Sequence, residues 1–223
     1  MKKVFDPRIK ICCISSLEEA EMAIKMGASA IGLVSEMPSG PGVISMETIK
    51  LIAASVPPPI ATFLLTSKQD VNEIIKQNKY CRTNTIQLCD SLKIGIHKDL
   101  KNALPGIAIV QVIHVTGEES ITEALAIQND VDAILLDSGN QSKQIKELGG
   151  TGKTHNWEIS NTIREKLDIP IFLAGGIKPN NISDAINQVH PFGIDLCSGV
   201  RTDDKLDEIK LDKLFENIQR SNR

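Results

Sequence analysis

The chain has 223 residues, 41% of them hydrophobic and 24% charged, with a formal net charge of -3. That is the composition of one ordinary globular domain, and its slight acidity argues against a nucleic-acid partner, which would ask for a basic face. No apolar run is long enough to span a bilayer, and the opening residues Met1 to Pro7 lack the apolar stretch of a secretory signal, so a cytoplasmic protein without a membrane partner is expected.

Along the chain, short β-rich runs alternate with amphipathic stretches. Eight runs read as strands: Arg8 to Cys13, Ala28 to Val34, Pro59 to Leu65, Asn84 to Cys89, Ile107 to Val115, Val131 to Asp137, Pro170 to Ala174 and Gly193 to Cys197. Most are continuously apolar, as parallel strands covered on both faces are. Between them lie the helices. Ser16 caps the first, with Glu19 placed for a capping box and Gly27 as its stop. Ser45 starts the second, Asp70 stands near the start of the third, and Asn181 or Ser183 opens the seventh. The fourth, from about Ile94 to Asn102, carries the weakest signal, and the stretch Asp207 to Gln219 reads as the last. A doubly wound sheet uses the same alternation but seldom needs eight equal units. The expected fold is therefore an α/β protein, a (β/α)8 TIM barrel spanning residues 1–223 as one domain.

In such a barrel the chemistry gathers where strands end. The strand-end residues here are Cys12 and Cys13, Ser35 and Glu36, Thr66, Cys89 and Asp90, His114, Asp137 and Ser138, Gly175 and Gly176, and Ser198 and Gly199. Glycine-containing segments follow the last three strands: Gly149 to Thr154, Gly175-Gly176 and Ser198-Gly199. Any one of them serves a tight turn. All three together, at the end of a barrel where phosphates bind, point to a phosphate cradle of backbone N–H groups. Gly149 to Thr154 ends in Gly-Lys-Thr like a nucleotide-binding loop, but Glu147 stands where that loop needs glycine, so ATP binding is rejected. Lys153 is read either as electrostatic help for the phosphate or as a solvated lysine, and Trp157 as packing for the sixth helix. His114 is read as structural before functional.

Five cysteines, an odd number with no CxxC spacing, suit neither a disulfide framework nor a zinc site. Cys12 and Cys13, if both lay on a strand, would face opposite ways. Cys12 ends the first strand and Asp137 the sixth, so a thiolate base and a carboxylic acid can flank a small sugar. Their bland readings are a buried cysteine and a turn-capping aspartate.

These residues resemble a known family. Lys10-Ile11-Cys12, Ala30 to Val34, Ile86-Gln87-Leu88, Leu135 to Ser138, Gly149 to Trp157, Leu173 to Gly176 and Gly193 to Val200 are similar, in order, to phosphoribosylanthranilate isomerases of tryptophan synthesis. The resemblance implies a cofactor-free Amadori rearrangement of a small phosphorylated sugar, with no metal, in a monomer or homodimer. It implies Asp137 as general acid and Cys12 as general base. It places Asp195 on the ribose or amine and Gly152, Gly175, Gly176, Ser198 and Gly199 around the phosphate, with Lys10 and Gln87 among the substrate-binding residues.

The chain departs from the family at the site itself. Cys13 stands where the family has glycine, and Gly42 lies in a loop that lacks the arginine expected to grip the substrate carboxylate. Cys89 replaces a histidine, and Arg201 replaces a glutamate. Arg201 is therefore expected to supply the missing cation. The same departures leave two alternatives open: a relative acting on a different phosphorylated (amino)sugar, and a non-catalytic phospho-ligand-binding protein.

Overall fold

The computed structural model describes residues 7–138 and 155–221. Eight parallel strands close into a barrel in chain order: β1 Arg8–Ile11, β2 Ala30–Val34, β3 Ala61–Thr66, β4 Thr85–Leu88, β5 Ala108–His114, β6 Ala133–Asp137, β7 Ile171–Leu173 and β8 Gly193–Leu196. Each lies inside or within one residue of its expected run. Closure is made by β1 against β8, with Ile9 beside Ile194 and Ile11 beside Leu196.

The helices ring the barrel: α1 Leu17–Met26, α2 Met46–Ser55, α3 Val71–Cys81, α4 His97–Ala103, α5 Glu119–Ile127, α6 Trp157–Lys166, α7 Ile182–Val189 and α8 Glu208–Ser221. Ser16, Ser45 and Asp70 accept N–H bonds from the first turns they precede. Gly27 ends α1 at φ 113°, a left-handed conformation that costs glycine nothing. The expected capping box is displaced: Glu19 accepts from the N–H of Ser15 at 2.9 Å, because its carboxylate is also engaged by Arg201. Asn181 precedes α7, but its side chain accepts from the Lys178 N–H instead of capping the helix.

Two apolar layers follow from strand alternation. Outward residues such as Ile11, Ile31, Leu64, Ile86, Ile134 and Leu136 pack under the helices, fully buried. At about 1.5–3 kcal/mol for each large side chain, they dominate the folding energy. Inward residues such as Ala30, Phe63, Val110, Leu135 and Phe172 fill the barrel. Lys10, Cys12, Gln87, Asp137 and Asp195 share that inward parity, so the polar residues of the interior point to the strand ends where the helices do not cover them. After β8 comes a single 3-10 turn, Ser198–Val200, then the hairpin β9 Arg201–Thr202 with β10 Lys205–Leu206.

Candidate active site

A cleft of about 670 Å³, counting its open mouth, lies at the C-terminal ends of the strands. Cys12, Gln87, Asp137, Gly175, Gly176, Asp195 and Ser198 all line it, as the sequence reading expects. Val34, Met37, Leu65 and Cys89 form an apolar wall, and Ser39, Gly40 and Pro41 of the loop after β2 close one side. Gly152 and Lys153 lie outside the described residues.

Two expectations need correction. Arg201 does not face the cleft. Its guanidinium is held in two bonds by Glu19, at 2.9 and 3.0 Å, and donates to the carbonyls of Cys12, Cys13 and Asp204. The hairpin that follows the 3-10 turn carries Arg201 outward toward α1, where the half-buried Glu19 carboxylate engages it. Lys10 lies beneath the cleft instead of on its lining. It is fully buried, pairs with Asp195 at 2.8 Å and sits over the Phe63 ring at 5.1 Å. One residue below the end of β1, it adjoins the cleft through Asp195, which it pairs with, and through Cys12, whose charge it faces.

The electrostatics separate the two proton-transfer candidates. Cys12 is held below the ordinary thiol range by the Cys13 thiol beside it, helped by the Lys10 charge and opposed by burial. Asp137 is pushed above the ordinary carboxylate range by burial, although the Ser138 N–H at 2.7 Å and His114 pull the other way. Lys10 stays firmly charged: burial opposes this, and the Asp195 carboxylate outweighs it. A thiol tuned toward its anion and an acid tuned toward its neutral form are what acid/base catalysis near neutrality requires. Gln87 Oε1 is buried with no hydrogen-bond partner among the described residues, an acceptor left for a ligand hydroxyl. His114 bonds the Cys89 carbonyl through Nε2 at 3.4 Å, and burial keeps its pKa low, so its role is structural.

Several contributors escape the sequence reading. Gly32 on β2 is one: a Cβ there would meet Cys12 Sγ at 2.9 Å and Lys10 Nζ at 3.1 Å, so its absence makes room for both. Gly199, expected beside the phosphate, does not line the cleft; a side chain on it would strike the Ile177 carbonyl, so it lets the turn after β8 close on the loop after β7. Cys13 does not face away from Cys12. It lies beyond the end of β1 at φ 62°, the left-handed region, and there strand alternation no longer governs it. A glycine would meet that backbone requirement without strain. Opposite it, a Cβ on Gly42 would lie 2.5 Å from Cys13 Cβ, so the loop after β2 yields the space that Cys13 occupies.

Comparison with known proteins agrees with this geometry. The family described as N-(5'phosphoribosyl)anthranilate (PRA) isomerase matches residues 9–217. The N-(5'-phosphoribosyl)anthranilate isomerase of Methanocella arvoryzae is 30% identical over 208 residues, covering 93% of this chain and 95% of its own. A second such enzyme, isomerase 2 of Methanosarcina mazei, is 32% identical over 206 residues, covering 92% and 90%. The crystal structure of phosphoribosyl anthranilate isomerase from Thermotoga maritima superposes with a TM-score of 0.81 at 27% identity, over 96% of this chain and 99% of that one. Another, in complex with reduced 1-(o-carboxyphenylamino)-1-deoxyribulose 5-phosphate, gives 0.79 at 25% identity over the same shares. With a match across nearly its whole length, the chain belongs to the phosphoribosylanthranilate isomerase family.

Proposed function

We propose that this isomerase performs the Amadori rearrangement of N-(5-phosphoribosyl)anthranilate with Asp137 as general acid and Cys12 as general base. The carrying observation is their placement. The acid ends β6 and the base directly follows β1, and between them around the rim stand β7 and β8 with the glycine loops. A phosphate held at Gly175, Gly176 and Ser198 puts the ribose between the two groups. The consecutive positive φ values of Gly175 and Gly176 favour backbone N–H groups turned toward an anion. Asp137 protonates the ring oxygen, the bond from that oxygen to C1 breaks, and a Schiff base forms. The Cys12 thiolate takes the proton from C2, and the resulting enolamine settles to the ketone. Asp195, fixed by Lys10, contacts the ribose or the amine, and Gln87 Oε1 accepts from a hydroxyl. No cofactor enters these steps.

The residues needed come from one chain, which suits a monomer or a homodimer. Five free cysteines and the lack, among the described residues, of any helix able to cross a membrane support a cytoplasmic setting. A second reading keeps one observation in its favour. Among the described residues the cleft lining holds no lysine or arginine, so the anthranilate carboxylate meets no cation there, as it would if the sugar carried another group.

The test is a fluorescence assay for loss of freshly made phosphoribosylanthranilate. Wild type should turn over, and Cys12→Ala and Asp137→Asn should each lose at least about a hundredfold in kcat, the scale of one positioned acid or base. The kcat/KM profile should be bell-shaped, rising as Cys12 deprotonates and falling as Asp137 does. A wild type that binds phosphosugars but leaves this substrate untouched would shift the reading to another phosphorylated aminosugar.

A further inference from the structure

At the edge of the cleft, Cys13 Sγ and Cys197 Sγ stand 2.7 Å apart. A disulfide bond is about 2.05 Å, so little movement separates the pair from bonding. Their backbones are already held as neighbours: β1 and β8 run side by side, and the Cys12 N–H donates to the Leu196 carbonyl at 2.7 Å. Cys13 and Cys197 follow the paired ends Ile11 and Leu196 by two residues and one, and their sulfurs already touch. The left-handed turn at Cys13 brings its sulfur across to β8. Cys197 is half-buried and opens onto the cleft, so a small reagent reaches it first. Among the described residues no three ligand side chains are grouped to hold a metal, which leaves the thiols to each other.

We propose that Cys13 and Cys197 are a redox modification site, joined as a reversible disulfide by low-molecular-weight disulfides, and that the link switches off the catalytic thiol. In the first step the Cys197 thiolate attacks one sulfur of the reagent RSSR. A Cys197–S–S–R bond forms, the reagent's own S–S bond breaks, and RS⁻ leaves to take up the proton Cys197 has shed. Cys13 then attacks the Cys197 sulfur, and the second RS⁻ departs with the Cys13 proton. Two protein thiols are oxidised by two electrons and one RSSR is reduced to two RSH.

The link reaches catalysis through Cys13. In the reduced protein its thiol supports the Cys12 anion and lies 3.6 Å from the Pro41 carbonyl. Oxidation removes that S–H and draws the sulfur away from the loop after β2. The effect on turnover rests on Cys12 being the base; the link itself does not.

The whole protein is incubated with hydroxyethyl disulfide, free thiols are alkylated under denaturing conditions, and unreduced peptides are mapped by mass spectrometry. Wild type and Cys12→Ala should give one linked pair of peptides, those carrying positions 13 and 197, two hydrogens lighter than the separate peptides. Cys13→Gly and Cys197→Ser should give none. A linked pair persisting in Cys13→Gly, or a mixed disulfide that never resolves, overturns the site. Wild-type turnover should fall by roughly a hundredfold on oxidation, the scale of a lost base, and return with dithiothreitol. Cys197→Ser should keep its own starting rate through the same treatment. A fully linked protein that still turns over, or a Cys197→Ser enzyme that is equally inactivated, overturns the switch. The peptide map reads out even if the isomerase assignment fails.

Discussion

Cys13 carries a side chain at φ 62°, where a residue with a Cβ is strained by about 1–2 kcal/mol relative to glycine. It persists because Gly42 leaves space for it. The two positions are therefore coupled. Gly42→Ala in the wild type should lose stability through contact with Cys13 as well as through its own φ of 79°. In a Cys13→Gly background the contact part of that loss should vanish. Urea denaturation of the four proteins should return a coupling of about 1–2 kcal/mol, as for directly touching residues. Additive effects would mean the loop after β2 moves aside freely. At this scale the placement of Cys12 and Asp137 at the cleft is legible in the sequence, because both end apolar runs, the first and the sixth in chain order. The facing of Cys13 is not, because alternation holds only within a strand and β1 stops at Ile11.

Among the elements, the joint between α1 and the hairpin β9–β10 gathers several polar contacts on one carboxylate. Glu19 on α1 accepts from Arg201, from the Leu206 N–H and from the Ser15 N–H. Burial raises the carboxyl pKa, but these donors together hold it below its ordinary range. Removing Glu19's charge leaves the buried Arg201 without its partner, and removing Arg201 leaves a half-buried carboxylate, so each loss should be about 1–3 kcal/mol. Arg201→Ala and Glu19→Gln should each show this loss in thermal unfolding, and the double variant should lose less than the sum. Arg201→Ala should also lower kcat, since the guanidinium holds the carbonyls of Cys12 and Cys13, whereas a carboxylate-binding role would raise KM alone. This joint is hidden from a linear reading, which sees Glu19 as half of a capping box and Arg201 as a rim residue 182 positions away. Helix α4 is hard to read for a related reason. Ile96 at its N-cap offers no side-chain acceptor, and Asp99 instead takes the Ile96 N–H at 2.9 Å.

For the whole molecule, acid sensitivity has an identifiable source before α6. His155 bonds Ser160 Oγ at 2.6 Å, and burial lowers its pKa to about 4. Unfolded, it titrates near 6.5, so between those values the unfolded chain binds the extra proton. Stability is intact above pH 6.5 and declines as pH falls toward 4. Between pH 7.5 and 5 the loss from this residue should be about 1–2 kcal/mol, and His155→Gln should flatten the decline in melting temperature over that window. An unchanged slope would place the sensitivity elsewhere. The global fold is legible because eight buried parallel strands leave a continuous apolar signature. What joins its ends is not, since β1 meets β8 only through closure. The buried pair of Lys10 and Asp195, 185 residues apart, spans that seam. In synthesis the ammonium precedes its carboxylate partner by 185 residues. Until β8 arrives, Lys10 can only stay in water or enter the interior unpaired at a cost of several kcal/mol. The edge of β1 beside Cys12 therefore gains its buried ion pair only when β8 closes the barrel.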